Sequence, residues 1–215
     1  MVRQLLIMFG LENFSRAKPP AEGPLSAEPL KDDQGQQVFA PNYNHIDMPN
    51  RILNEEEKEY YKKKSEEPKE IAVMRPAFMD PHFFVRKGIE DRKRDEEALK
   101  YAGESGMLLF SLKYGLIDTN LFNFDHGGPW DAQRIAGQQY DKYVEYATIA
   151  IGLYAAAYGI PEDKILEIEN IAAGKYSKNR EFDKTYINLP EDNVKWTDIG
   201  YELYKSGKIS PNFEP

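Results

Sequence analysis

Cysteine is absent from all 215 residues. Disulfides, thiolate nucleophiles and cysteine-ligated zinc or iron centres are therefore excluded, and the chain suits any redox compartment. Histidine is scarce: His45, His82 and His126 are widely separated, with no His-x-x-x-His pair. A metal site would have to be assembled across the fold with Asp or Glu, so none is expected. No Gly-x-Ser-x-Gly elbow, phosphate-cradling glycine loop or dinucleotide fingerprint occurs. A serine triad is unsupported, and no cofactor is expected. Long hydrophobic runs are also missing. Residues 149–157, bracketed by Glu145 and Tyr158, are the most apolar stretch; they are too short to span a membrane and read as a core helix. Behind Arg3, the run Leu5-Leu6-Ile7-Met8-Phe9 is short for a signal-peptide core and no small-residue cleavage site follows. It is expected to be a buried strand or helix turn. Basic charge is in deficit, with 28 Lys and Arg against 36 Asp and Glu, a net of −8. Residues 1–100 carry a net of −2 and residues 101–215 a net of −6. Such an excess repels a phosphate backbone, so nucleic acid is not expected as substrate or partner.

What is present divides the chain in two. Residues 15–50 hold Pro19, Pro20, Pro24, Pro29, Pro41 and Pro49 among Gly, Gln and Asn, which forbids a long regular element. Val38, Phe39, Tyr43 and Ile46 are interspersed, as in an arm that lies along a domain and buries its apolar residues. From Glu55 to Glu70, acids come first and lysines later, behind a possible N-cap at Asn54. This predicts a short solvated helix over 55–65, ended by Pro68. Phe83 to Tyr101 has amphipathic spacing, with Val85, Ile89, Ala98 and Tyr101 inward and a densely charged face from Arg86 to Glu97. Residues 105–114 read as a buried helix with Gly115 as its C-cap. One long helix is predicted from Asp131 or Ala132 through Tyr158, closed by Gly159. Pro161 then takes the first position of the next helix, and Thr197 to Lys205 form a last short one before Gly207. Strand signals are weak apart from Thr185-Tyr186-Ile187-Asn188. The expected fold class is mainly α: a single helical domain over 71–215 behind an irregular N-terminal arm, residues 1–70, with one short charged helix.

One segment concentrates chemistry: Phe122-Asn123-Phe124-Asp125-His126-Gly127-Gly128-Pro129-Trp130-Asp131, with Arg134 just behind. Gly-Gly-Pro forces a bend. Across that reversal His126 and Asp131 are able to face one another, the carboxylate orienting the ring as a general base. Arg134 would clamp an anionic group or a developing oxyanion, and Asp125 stands beside them. Asp141 and Glu145 are four residues apart and would share a helix face; Glu145 opposite Asp125 or Asp131 would supply the paired carboxylates of glycoside cleavage. The plainer alternative is a structural turn in which Asp131 caps a helix and Trp130 fills the core. His82, after Asp80-Pro81, reads as a turn residue, and His45 belongs to the arm.

The Gly127-Gly128-Pro129-Trp130-Asp131 segment resembles the Gly-Pro-Trp-Asp signature of bacterial polymorphic toxin type 44 domains. The block from Tyr146 to Gly152 and on through Ala157-Tyr158-Gly159-Ile160-Pro161 is similar to that family's Gly-, Tyr- and Ala-rich segment ending in Gly-Ile-Pro. Asp198-Ile199-Gly200 and Gly207-Lys208-Ile209 stand where the family has a terminal acidic and glycine motif. The resemblance covers about residues 105–209. It departs after Trp-Asp, where Ala132 and Gln133 replace an aromatic and a lysine, and at Val144-Glu145-Tyr146-Ala147. It implies a secreted toxin or effector, delivered into a target cell by type VI secretion or a similar route without a signal peptide. A cognate immunity protein and a component of the secretion machine are the implied partners.

Three functions follow as expectations. The first is a hydrolase acting on cell-wall peptidoglycan, with Asp131 and His126 as acid/base pair, Glu145 as second carboxylate, and Trp130, Arg134 and Asp125 binding substrate, Trp130 as a ring-stacking wall. The second is a non-catalytic effector or adaptor whose 14 tyrosines and 11 phenylalanines build a surface for a protein partner. The third is an RNase-type toxin, weakened by the acidic charge.

Overall fold

The structure is a computed structural model that describes residues 26–42, 56, 69–100, 115–117, 119–176, 189 and 191–211. Four short strands come first: β1 (Ala27–Pro29), β2 (Phe39–Asn42), β3 (Lys69–Ala72) and β4 (Met74–Pro76). Helix α1 (Pro81–Lys100) follows, then a small hairpin of β5 (Arg134–Ile135) and β6 (Gln138–Gln139). Three long helices follow among the described residues: α2 (Val144–Tyr158), α3 (Glu162–Tyr176) and α4 (Glu191–Lys205). The molecule is mainly helical, in agreement with the periodicity. Among the described residues no helix is long and apolar enough to cross a membrane. The Leu5-to-Phe9 run, Tyr43, Ile46, His45, all of the expected charged helix over 55–65 except residue 56, Tyr101, residues 105–114 and Thr185 to Asn188 lie outside the described residues.

Helix α2 is the centre of the core. Tyr146, Ile149, Ala150, Leu153, Tyr154, Ala155 and Ala157 are all buried, so the helix is apolar nearly all round and needs neighbours on several sides. Glycines bring two of them close. Gly152 of α2 and Gly200 of α4 face each other, and a Cβ on either would overlap the opposing backbone. On the other side, a Cβ at Gly88 of α1 would lie 2.6 Å from the Tyr154 carbonyl oxygen. Helix α2 ends at Gly159, whose φ of 86° lets its N–H donate to the Ala155 and Ala156 carbonyls. Pro161 sits one position before α3 and accepts from the N–H groups of Lys164 and Ile165.

Two expectations about the helices are corrected. Residues 131–140 are not helical, and Asp141–Tyr143 form only a 3-10 turn. Ala136 (φ 52°) and Gly137 (φ 81°) form the two-residue turn of the β5–β6 hairpin, and α2 starts only at Val144. Likewise, the inward face of α1 is not apolar to its end. Ala98 is exposed, while Asp91 and Asp95 are buried at 2% exposure. Gly115 is itself helical, within 115–117, and α4 begins at Glu191, six residues before the predicted start.

The proline-rich arm is anchored where it is described. β1 pairs antiparallel with β4, and β2 with β3, in register Ala27 to Pro76 and Phe39 to Ala72. Val73, between β3 and β4, donates to the Val38 carbonyl and accepts from Leu30. The Asp32 carboxylate receives the amides of Gln34 (3.0 Å) and Gln36 (2.8 Å), closing the intervening turn. The Trp196 indole N–H of α4 donates to the Pro41 carbonyl at 2.8 Å, which ties β2 to the helices.

Candidate functional site

The Gly-Gly-Pro bend is a rigid corner fixed from within. The Trp130 amide donates to the Asn123 carbonyl at 2.9 Å and the Gly128 amide to Asp125 at 2.6 Å. Gly127 has φ 76°, a left-handed conformation that favours glycine. Asp131, 5% exposed, is the hub. Its carboxylate accepts from the amides of Gly127 (2.8 Å), Gln133 (3.0 Å) and Arg134 (3.1 Å) and from the Arg134 guanidinium (3.3 Å). No hydrogen bond joins His126 to Asp131 among the described residues; His126 is exposed at the rim and Asp125 is half-buried.

Trp130 is 4% exposed, so its ring offers no open stacking wall. It packs edge-on against Phe83, Phe84 and Phe124 and tilted against Tyr154, at centroid distances of 5.1–6.2 Å. Glu145 is buried, and burial pushes its carboxyl above the ordinary carboxylate range. Asp141 is on a separate 3-10 turn, Asp141–Tyr143, and is exposed, bonded to the Gln139 amide group at 2.7 Å. The two acids do not share one helix. The bend thus brings Asp131 and Arg134 together, while His126 stays at the rim and Trp130 joins the core.

An open cleft of about 550 Å³ lies elsewhere, between residues 32–41 and α4. Val38, Phe39 and Leu203 give it an apolar floor, with Phe39 53% exposed. Lys195, Asp198 and Glu202 approach from α4. Their spacing of three and four residues sets them on one helix face. The Asp198 carboxyl is pushed up to about 6, first by burial and then by its hydrogen bond and charge contact with the Glu162 carboxylate; Lys195 and Lys205 pull the other way. Behind α4, burial raises Glu169 to about 8, even though Thr197 donates its hydroxyl to both carboxylate oxygens at 3.0 and 3.3 Å. A carboxyl held near 6 is able to give and take a proton near neutral pH.

No protein-family model, curated protein or solved structure matches this chain.

Two further clusters were not anticipated. In the first, Asp91 and Asp95 join α1 to α2. Tyr154 donates to Asp91 (3.0 Å), Tyr158 and Asn120 donate to Asp95 (2.8 Å each), and Arg94 bonds both acids and Asn120. Lys87 adds an ion pair to Asp91 at 3.0 Å. With their oxygens committed in this way, the two carboxylates act as a staple between helices. The spacing of Asp91 and Asp95 on the inward face was the available signal, and it was masked by the charged residues around them. In the second cluster, His82 is not a turn residue but part of the first turn of α1, 8% exposed. Its Nδ1 meets Asp80 and its Nε2 meets Asp33, both at 2.7 Å. With a carboxylate on each nitrogen, the ring is oriented but has no nitrogen left to take a substrate proton. Among the described residues no group of three His, Asp or Glu side chains is arranged to hold a metal ion.

Proposed function

We propose that this chain is the toxin module of a delivered antibacterial effector and that it hydrolyses the glycan of the target cell wall in the cleft between residues 32–41 and α4. The observation that carries the reading is the meeting of that cleft with two carboxylates of one helix face, Asp198 and Glu202. Residues four apart on a helix are neighbours on its surface, with Cβ atoms about 5–6 Å apart, so both carboxyls are able to reach one bound glycosidic bond. Asp198, the more shielded, protonates the leaving oxygen as the C–O bond breaks. Glu202 is the carboxylate that attacks the anomeric carbon or activates water. Phe39 takes the stacking role expected of Trp130, because its ring is open to solvent and sugar rings pack on aromatic faces. Lys195 and Lys208, on the cleft wall, suit the carboxylates of a wall peptide. Asp32, Asp198 and Glu202 line the same space and disfavour a phosphate backbone, which argues against the RNase reading. On this reading Asp131, Trp130 and Arg134 position the bend, and the immunity protein and secretion machine remain the implied partners.

The test is expression with and without an export signal, together with release of soluble glycan from purified walls. Lysis is expected only on export. Asp198→Asn and Glu202→Gln are each expected to lower glycan release by about a hundredfold or more, with unfolding midpoints no lower than the parent's. Release that is absent, or indifferent to both substitutions, overturns the hydrolase. The exposed Phe39 also favours a second reading, a partner-binding effector. That reading gains if toxicity survives both carboxylate substitutions and is lost in Phe39→Ala.

A further inference from the structure

Besides its strand pairs, the wall of the cleft opposite α4 is tied to α1 by one buried ring, His82. Asp33 lies in the turn after β1 and bonds in three directions. Its Oδ1 meets His82 Nε2 at 2.7 Å, its Oδ2 accepts the Ser210 amide at 3.0 Å, and its own amide donates to the Lys208 carbonyl at 2.7 Å. His82 Nδ1 meets Asp80 at 2.7 Å, and Arg86 braces the other oxygen of Asp80 at 2.9 Å. The ring therefore ties three pieces together: the start of α1, the 32–36 turn and the segment after α4. Residues of the last two, Asp32, Gln36, Ser206 and Lys208, line the cleft. A neutral imidazole has one N–H and can donate to only one of two carboxylates, whereas the imidazolium donates to both.

We propose that His82 is a proton-operated clamp on the cleft wall: doubly protonated, it locks the 32–36 turn and residues 206–210 to α1, and on losing a proton it releases Asp33 and loosens that wall. The proposal rests on the cleft being the working site. The charged groups that act on the ring are Asp80, just before α1, with Arg86 of α1 behind it, and Asp33 from the turn. The acids nearest the ring favour its cation. Burial pulls the ring's affinity for a proton down, but the bonds and charges of Asp80 and Asp33 outweigh it and hold the ring above its ordinary 6.5. A group raised in the folded state lends stability in full below its unfolded value and loses it as pH rises through the folded one. The clamp is thus closed in mild acid and opens on the alkaline side.

Nuclear magnetic resonance of the full chain tests this. The His82 imidazole is expected to titrate above 6.5. The amides of Asp33 and Ser210, corrected for intrinsic exchange, are expected to lose protection about tenfold or more between about pH 5.5 and about pH 9. The Leu153 amide in α2 stays unchanged. His82→Gln, which cannot carry the charge, is expected to show the low protection at both values. A ring titrating at or below 6.5, or equal wild-type protection at both values, overturns the clamp. The wild-type measurements decide alone if the variant does not fold. They read the wall and not glycan release, so the clamp and the hydrolase can fail separately.

Discussion

Asp131 illustrates how a residue type that points to catalysis can be consumed by architecture. Three backbone amides and a guanidinium share its two oxygens in a site closed to water. Asp131→Ala leaves the amides of Gly127 and Gln133 without this acceptor, while the Arg134 amide keeps the backbone carbonyl of position 131 at 3.3 Å; an unsatisfied buried donor costs about 1–3 kcal/mol. Allowing for local relaxation, the expected loss is about 3 kcal/mol by urea unfolding. Asp131→Asn keeps one acceptor oxygen, and its expected loss is about half of that. Equal and negligible losses in both variants would show that the bend does not depend on its carboxylate. Tyr158 makes a milder case. Tyr158→Phe removes one donor from Asp95, which keeps Asn120 and Arg94, so about 1 kcal/mol is expected from the same measurement.

At the scale of elements, the crossing of α2 and α4 rests on two glycines in backbone contact. Gly152→Ala or Gly200→Ala must push the helices apart, and overpacking of a tight core costs typically about 1–3 kcal/mol. Gly115→Ala is the contrasting case. Its added Cβ meets nothing within 4 Å among the described residues and the residue is helical, so a gain of about 0.5–1 kcal/mol is expected from helix propensity. Thermal unfolding of the three variants separates the cases; a Gly200→Ala protein as stable as the parent would disprove the close crossing. Helices α1 and α2 and the Gly159 stop were legible because their signals are local: a 3.6-residue period and a glycine at a left-handed cap. Residues 131–143 were not, since Asp-Ala-Gln-Arg-Ile is as compatible with a helix as with a strand, and only Gly137 hinted at the hairpin. The strand pairs were hidden for another reason. Residues 27–42 meet residues 69–76 across the intervening chain, and no short-range pattern encodes that pairing. The cleft combines both situations. The spacing of Lys195, Asp198 and Glu202 on one helix face was readable, but the opposite wall comes from residues 32–41, more than 150 positions earlier. For the same reason His82 was readable as a residue near a turn but not as one held between Asp80 and Asp33.

Over the whole molecule, the acidic excess has a thermodynamic consequence. The chain carries a net of −8, and several of its carboxyls lie where their charge is poorly solvated. Burial raises Glu145, takes Glu169 to about 8, and with Glu162 takes Asp198 to about 6. His82 is raised as well, by its two aspartates against the pull of burial. Each of these groups holds a proton in the folded chain that the unfolded chain releases earlier. Where the folded state binds more protons, stability falls as pH rises. Asp80 acts in the opposite sense. Burial alone would raise it, but the bonds from His82 and Arg86 lower it to about 2, so its contribution is present above its ordinary 3.8 and fades as pH falls toward 2. The two slopes meet in mild acid. Urea midpoints measured across the range should therefore peak between about pH 4 and about pH 6 and decline steadily to about pH 8.5. Glu169→Gln removes one of the groups responsible, keeps an acceptor for the Thr197 hydroxyl, and should flatten the decline between 4.5, the ordinary glutamate value, and about 8. A midpoint that climbs from mild acid to neutrality would mean that these carboxyls reach water more freely than their packing against α3 and α4 implies, and the shielding of Asp198 as a proton donor would go with it.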